Sequence, residues 1–120
     1  MATMPWDELV QFCRQLGQNL IGKELYVVFS DPVDGLDPVL KNLEPHLAYQ
    51  IKLQDDGVMF AAGPLSSEGG TEYNGHGVFV YHAESIDDAT RIAASDPMHQ
   101  AGARTFRVLP WLLNEGTLRA

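Results

Sequence analysis

The sequence predicts an α+β fold, with a four-stranded antiparallel sheet, two helices on one of its faces and a further helix ahead of it. Three observations carry this expectation. The chain has 120 residues, 45% hydrophobic and 20% charged, which is the size and composition of one globular domain. Four short runs rich in aromatic and β-branched residues, at 25–29, 58–63, 76–82 and 105–109, read as strands. Two helical segments fall between them in the order strand, helix, strand, strand, helix, strand.

Residues 4–20 form the leading amphipathic helix. Pro5 suits its first turn, Asp7 and Glu8 suit its positive end, and Leu9, Phe12, Cys13, Leu16 and Leu20 recur at three-to-four spacing. Gly22 supplies a stop, and Leu25-Tyr26-Val27-Val28-Phe29 is apolar enough for a central strand. Residues 30–38 (SDPVDGLDP) are a polar loop of turn residues. Pro45 splits the next helix, because an interior proline costs about 3 kcal/mol or more. A short turn over 39–43 is therefore expected, with the main helix starting near Pro45 and ending at Gly57. Leu47 and Ile51 would face inward, in line with Leu40 and Leu43. Residues 58–63 (VMFAAG) make the second strand, and 64–75 a long loop whose composition suits mobility, closing on an Asn74-Gly75 turn. His76 to His82 (HGVFVYH) is the third strand. Ser85 followed three residues later by Asp88 resembles a capping box and opens the second core helix, with Ala89, Ile92 and Ala93 inward. Asp96-Pro97 ends it, 105–109 is the fourth strand, and Pro110 begins a C-terminal tail.

This order, βαββαβ, is the ferredoxin-like arrangement: two strand–helix–strand units around a central hairpin. Residues 1–22 are then a helical extension, and 23–120 the domain proper. The first strand has no polar side, so the helix-free sheet face is apolar as well, and a second copy packed sheet to sheet would cover it. A homodimer is the expected assembly.

Charge and cysteine content narrow the function classes. Sixteen acidic against eight basic residues give a net charge of −8, which repels a polyphosphate backbone, so no nucleic-acid partner is expected. The apolar runs are too short for a membrane span, and no basic-then-apolar leader opens the chain. Cys13 stands alone and cannot form an internal disulfide, which suits a reducing, cytoplasmic setting.

Several short pieces carry a family resemblance: Tyr26-Val27-Val28-Phe29, Pro45-His46-Leu47, Ala62-Gly63-Pro64, and Ser95-Asp96-Pro97 followed by Ala101-Gly102. Their order and spacing, over roughly residues 24 to 111, resemble the YCII-related (YciI-like) family. That resemblance implies a ferredoxin-like domain that dimerises into a dimeric α+β barrel, with an active site on a His–Asp pair. The matching positions are His46 and Asp96. One branch of the family acts as dehydrochlorinases on a chlorinated hydroxyhydroquinone, and the wider fold includes muconolactone isomerases and cofactor-free monooxygenases. Two features depart from the pattern. Many relatives carry an Arg shortly before the His, where Leu43 and Glu44 stand here, so a carboxylate-binding fork is missing at that point. The leading helix is an addition.

The residues themselves allow two readings of the pair. At 100° per residue, His46 lies at the margin of the Leu43–Leu47 stripe, where a ring would sit half desolvated along a cleft lip. A carboxylate beside it would fix its tautomer and favour the imidazolium, raising its pKa toward neutrality or above, which is the pKa a general base needs near pH 7. Alternatively, Asp96 only caps the turn before Pro97 and His46 is an ordinary boundary residue. Gly63, Pro64 and Ser66, leaving the second strand, could line a cleft, and His99 could enter it or be solvated. His76 and His82 lack a third metal ligand, Gly75-His76-Gly77 precedes a strand rather than a helix, and Ser66-Ser67 has no nucleophile elbow. No cofactor or metal is expected. The functional expectation is a cofactor-independent isomerase, lyase or dehydrochlorinase-like enzyme using His46 and Asp96. A non-catalytic dimeric small-ligand-binding or interaction module is the alternative.

Overall fold

A computed structural model describes residues 2–117. The sheet is antiparallel, in the order β2-β3-β1-β4, from strands β1 (Lys23–Pro32), β2 (Met59–Pro64), β3 (Gly77–Tyr81) and β4 (Arg104–Leu113). Helices α1 (Trp6–Gln15), α2 (Asp37–Lys41), α3 (Leu43–Asp55), α4 (Ile86–Ala94) and α5 (Pro97–Gln100) complete the chain. With α3 and α4 as the two crossovers, this is the ferredoxin-like arrangement. No helix among the described residues is long and apolar enough to cross a membrane.

Strand register assigns the two faces. Val28 stands opposite Phe79 and Val108, and Tyr26 opposite Tyr81. These positions face the helices and form the core with Leu53 of α3 and Ala89 and Ala93 of α4. The small residues of α4 let its axis approach the sheet closely, as the Ala89–Ala93 pattern predicts. The other face carries Val27 opposite Val80 and Leu109, Phe29 opposite Val78, and Leu25 opposite Trp111. Leu109 and Trp111 are exposed there.

Several boundaries differ from the sequence reading, each for a physical reason. The leading helix stops at Gln15 rather than residue 20, because Gly17 (φ +69°) takes the left-handed conformation that ends a helix. Val10 and Cys13 are its buried residues, packed on Leu112, while Phe12 and Leu16 of the expected stripe are exposed. The main helix begins at Leu43, two residues before Pro45. Pro45 still lies in the first turn, where a missing N–H breaks no helical bond, and the first such bond runs from His46 N to Asn42 O (3.2 Å). The fourth strand continues through Pro110 to Leu113, so no tail begins there. A proline is tolerated because β4 is an edge strand. Asp96-Pro97 ends one helix and also starts another: Asp96 is the N-cap of α5 and Pro97 its first residue, so His99 is helical rather than in a loop.

The inward face of α3 also differs. His46, Gln50 and Leu53 are buried, whereas Leu47 and Ile51 are 50% and 52% exposed. The helix is turned by about one residue, roughly 100°, from the expected orientation. The apolar stripe therefore flanks an opening rather than the core. That rotation makes the site.

Removal of residues 1–21 should strip the cover from Leu112 and lower the melting temperature by several degrees, about 4 °C for each kcal/mol lost. A thermal melt with a hydrophobic dye measures this. Unchanged stability and dye binding would show that α1 contributes nothing to the domain.

Candidate active site

Asp96 sits at the turn between α4 and α5, fully buried. As N-cap its Oδ1 accepts from Met98 N (2.8 Å). The same carboxylate receives His46 Nδ1–H from α3, at 2.9 Å to Oδ1 and 2.8 Å to Oδ2. The capping reading and the pairing reading are thus both true of Asp96. His46 is 4% exposed, so it lies deep beside the sheet rather than half desolvated on a lip. Its ring rests against Phe79, with centroids 5.4 Å apart.

The pair gives the imidazole a direction. Nδ1 is the donor to the carboxylate, which leaves Nε2 as the free nitrogen of the neutral ring. His46 lines a cavity of about 760 Å³ between α3 and the β2–β3 side of the sheet. Leu43, Leu47 and Ile51 form the helix wall, and Met59, Phe60 and Leu65 stand on the strand side. Gly63, Pro64 and Ser66 line it as well. The 64–75 loop is closed on itself by Ser67 N to Glu72 O (2.8 Å) and contributes Tyr73 to the wall.

His99 is not among the lining residues. It lies beneath, donating Nδ1–H to the Ala93 carbonyl (2.6 Å) and accepting from Ser30 Oγ at Nε2 (2.6 Å). Phe106 stacks on it at 4.5 Å. Burial lowers the His99 pKa, against the Ala93 hydrogen bond and the Asp96 charge that raise it, and Arg104 and His46 lower it further. Tyr81 and Tyr49 are raised, first by burial and then by the Asp96 charge, so both stay protonated phenols. His76 pairs with Asp31 (2.8 Å), and His82 meets the Phe60 ring edge, so the two histidines have separate neighbours. Cys13 is buried on the inner face of α1 and is not among the cavity-lining residues.

Four polar lining residues were not singled out from the sequence: Gln50, Gln54, Tyr73 and Arg104. Arg104 is 3% exposed and has no carboxylate within 4 Å among the described residues. Strand alternation carries the signal that locates it: Arg104, Phe106 and Val108 share one face, and the latter two pack on the core. Reading the fourth strand from residue 105 cut that alternation short by one position.

With this geometry in place, comparison with known proteins decides the lineage. The YCII-related domain model matches residues 25–112. The chain belongs to the YCII-related family. Among solved structures, this YCII-related protein is similar to 5-chloro-2-hydroxyhydroquinone dehydrochlorinase (TftG) from Burkholderia phenoliruptrix AC1100, determined in complex with 2,5-dihydroxybenzoquinone. The TM-score is 0.62 at 24% identity, covering 72% of this chain and 92% of that one, a likeness of fold. No protein of curated function matches the sequence.

The buried His99 sets a pH dependence. Its folded pKa lies below the ordinary value of 6.5, so between the two values the unfolded chain alone binds the proton. Its contribution to stability is full above about pH 6.5 and is lost as the pH falls through the folded pKa. Denaturant titrations from pH 7.5 to 5.5 should show stability falling in the wild type and falling less in His99→Gln. Parallel curves for the two would remove His99 as the cause.

Proposed function

We propose that the YCII-related protein is a small-molecule enzyme in which His46 carries a proton between substrate and solvent, with Asp96 orienting it. The observation that supports this best is a buried carboxylate–imidazole pair whose imidazole lines an apolar cavity large enough for a ring-sized ligand. Asp96 holds Nδ1–H, and Nε2 removes a proton from a ligand O–H or C–H. The electron pair released then expels a leaving group as its anion, an elimination of HX, or is reprotonated at another carbon, an isomerisation. For a chlorinated hydroxyhydroquinone, His46 first moves a hydroxyl proton to the chlorine-bearing ring carbon, giving the keto tautomer; removal of a second hydroxyl proton from that tautomer then expels chloride and leaves a hydroxybenzoquinone, the proton passing through His46 to water. The fold shared with TftG favours this chemistry, and fold alone does not carry it. The reaction needs one base and draws on no cofactor.

A pair sealed from solvent would favour the inert module. Here the cavity wall includes the half-exposed Leu47 and Ile51, so ligand access does not require the core to open. The lone buried thiol of Cys13 suits a cytoplasmic setting for this enzyme.

A screen of chlorinated hydroxyhydroquinones and unsaturated lactones, read by chloride release and ultraviolet absorbance, tests the chemistry. His46→Gln, which can still donate to Asp96 but offers no base, should reduce any turnover by about 10²-fold or more while leaving the fold intact. Asp96→Asn should reduce it too, because an amide that donates to Nδ1 moves the ring proton to Nε2 and removes the free base. Full activity in His46→Gln would end the assignment.

Assembly is part of the same proposal. Val27, Phe29 and Val78 on the helix-free face are only half-buried, and Leu109 and Trp111 are exposed, an apolar surface that a second copy would cover to give a dimeric α+β barrel. Light scattering at micromolar concentration should report about twice 13.2 kDa. A stable monomer would remove the barrel.

A further inference from the structure

Arg104 is the residue that the proton-transfer chemistry leaves unexplained. Its guanidinium is held at two points: Nε donates to the Gly75 carbonyl (2.7 Å) and Nη2 to the Tyr73 hydroxyl (3.0 Å). Nη1 has no partner among the described residues, although it is buried. A guanidinium stays charged in proteins, and an unpaired buried charge is costly. Neither of its two partners is an anion.

The surrounding backbone is shaped to keep this group in place. Gly77 lines the cavity, and a Cβ there would come within 3.2 Å of Arg104 Nη1, so the missing side chain is the space the guanidinium occupies. Gly75, whose carbonyl anchors Nε, is held at φ +98° with Val39 and Pro32 packed where a side chain would stand. The guanidinium is thus preorganised with one donor unused. Gln50 adds a second unsatisfied polar atom to the same lining, the buried oxygen Oε1.

We propose that Arg104 is the anion-binding point of the cavity, and that the ligand is a cyclic compound carrying an anionic oxygen, a carboxylate or a phenolate. Nη1–H donates to that oxygen, Tyr73 and Gly75 fix the guanidinium, and Gln50 Oε1 accepts from a ligand hydroxyl. The apolar walls take the ring. This names the ligand class of the site proposed above: it rests on the cavity being the ligand site but not on any turnover there. Charge-assisted hydrogen bonds of this kind discriminate strongly, because the uncharged analogue leaves the buried cation unpaired.

Calorimetric titration of the full chain with 2,5-dihydroxybenzoate and with hydroquinone, its uncharged counterpart, tests the carboxylate form. The acid should bind roughly tenfold tighter or more, and Arg104→Met should abolish that preference. Titration with 4-nitrophenol, whose ionised form absorbs at longer wavelength, tests the phenolate form. The wild type should enrich the ionised band at a fixed pH, and Arg104→Met should not. Preference for one probe alone identifies which anion the site takes. Absence of both preferences in the wild type overturns the proposal, and that comparison stands even if Arg104→Met fails to fold. Either preference surviving intact in a folded Arg104→Met overturns it as well. His46→Gln, whose side-chain amide can still donate to Asp96, should retain the anion preference, so an anion site without catalysis is distinguished from the reverse.

Discussion

A single carboxylate, that of Asp96, organises this molecule more than any other group. It is fully buried, and it accepts hydrogen bonds from two elements distant in sequence: the amide of Met98 at the start of α5 and the imidazole of His46 on α3. A buried carboxylate left without donors is very costly, so α3 and the α4–α5 turn are constrained to meet at this point. The consequence reaches well past the pair. With His46 fixed against Asp96 and Phe79, the phase of α3 is set, and Gln50 and Leu53 follow it inward at helical spacing. Leu47 and Ile51 are thereby turned toward the opening. The cavity exists because a polar contact, rather than the apolar stripe, decides how the helix lies.

The same contact shows how a polar group is held against an apolar wall. A ring on an apolar wall needs an orienting partner to hold one tautomer, and Asp96 supplies it to His46. Beyond the pair, Arg104 is fixed by a backbone carbonyl and a phenol, and burial lowers the pKa of His99 below the floor. Between the His46–Asp96 pair and the guanidinium lies an apolar surface. On the proposed reading, such an arrangement would place a base and an anion-binding donor at separate points of an apolar wall that takes a ligand ring.

How much of this could be read in the residues depends on which force fixes each one. The strands were legible because β1 and β3 are short, β-branched and aromatic, and local preference agrees with their central place in the sheet. The Ser85 cap and the small inner face of α4 were legible for the same reason, and Ser85 Oγ does accept from Asp88 N (3.0 Å). The phase of α3 was not, since Leu40, Leu43, Leu47 and Ile51 form the stronger apolar line and only a contact 50 residues away overrides it. The family resemblance drew attention to His46 and Asp96, while spacing alone left open whether they met. Asp96 also shows how one short motif carries two messages, a helix stop for α4 and a cap for α5.

Arg104 illustrates a different limit. In sequence, the place for a cation beside His46 is the helix just before it, and Leu43 and Glu44 stand there. Space does not respect that proximity. Leu43 lines the same cavity as an apolar wall, and the guanidinium enters from the opposite side, at the first residue of β4. What makes that entry possible is the pair of glycines flanking His76, one lending its carbonyl and the other its empty side-chain position. In sequence they look like loop punctuation before a strand. In the fold they form the seat of a buried cation, and a larger residue at Gly77 would force the guanidinium to shift. The polar character of the cavity is thus written partly in residues that have no side chain.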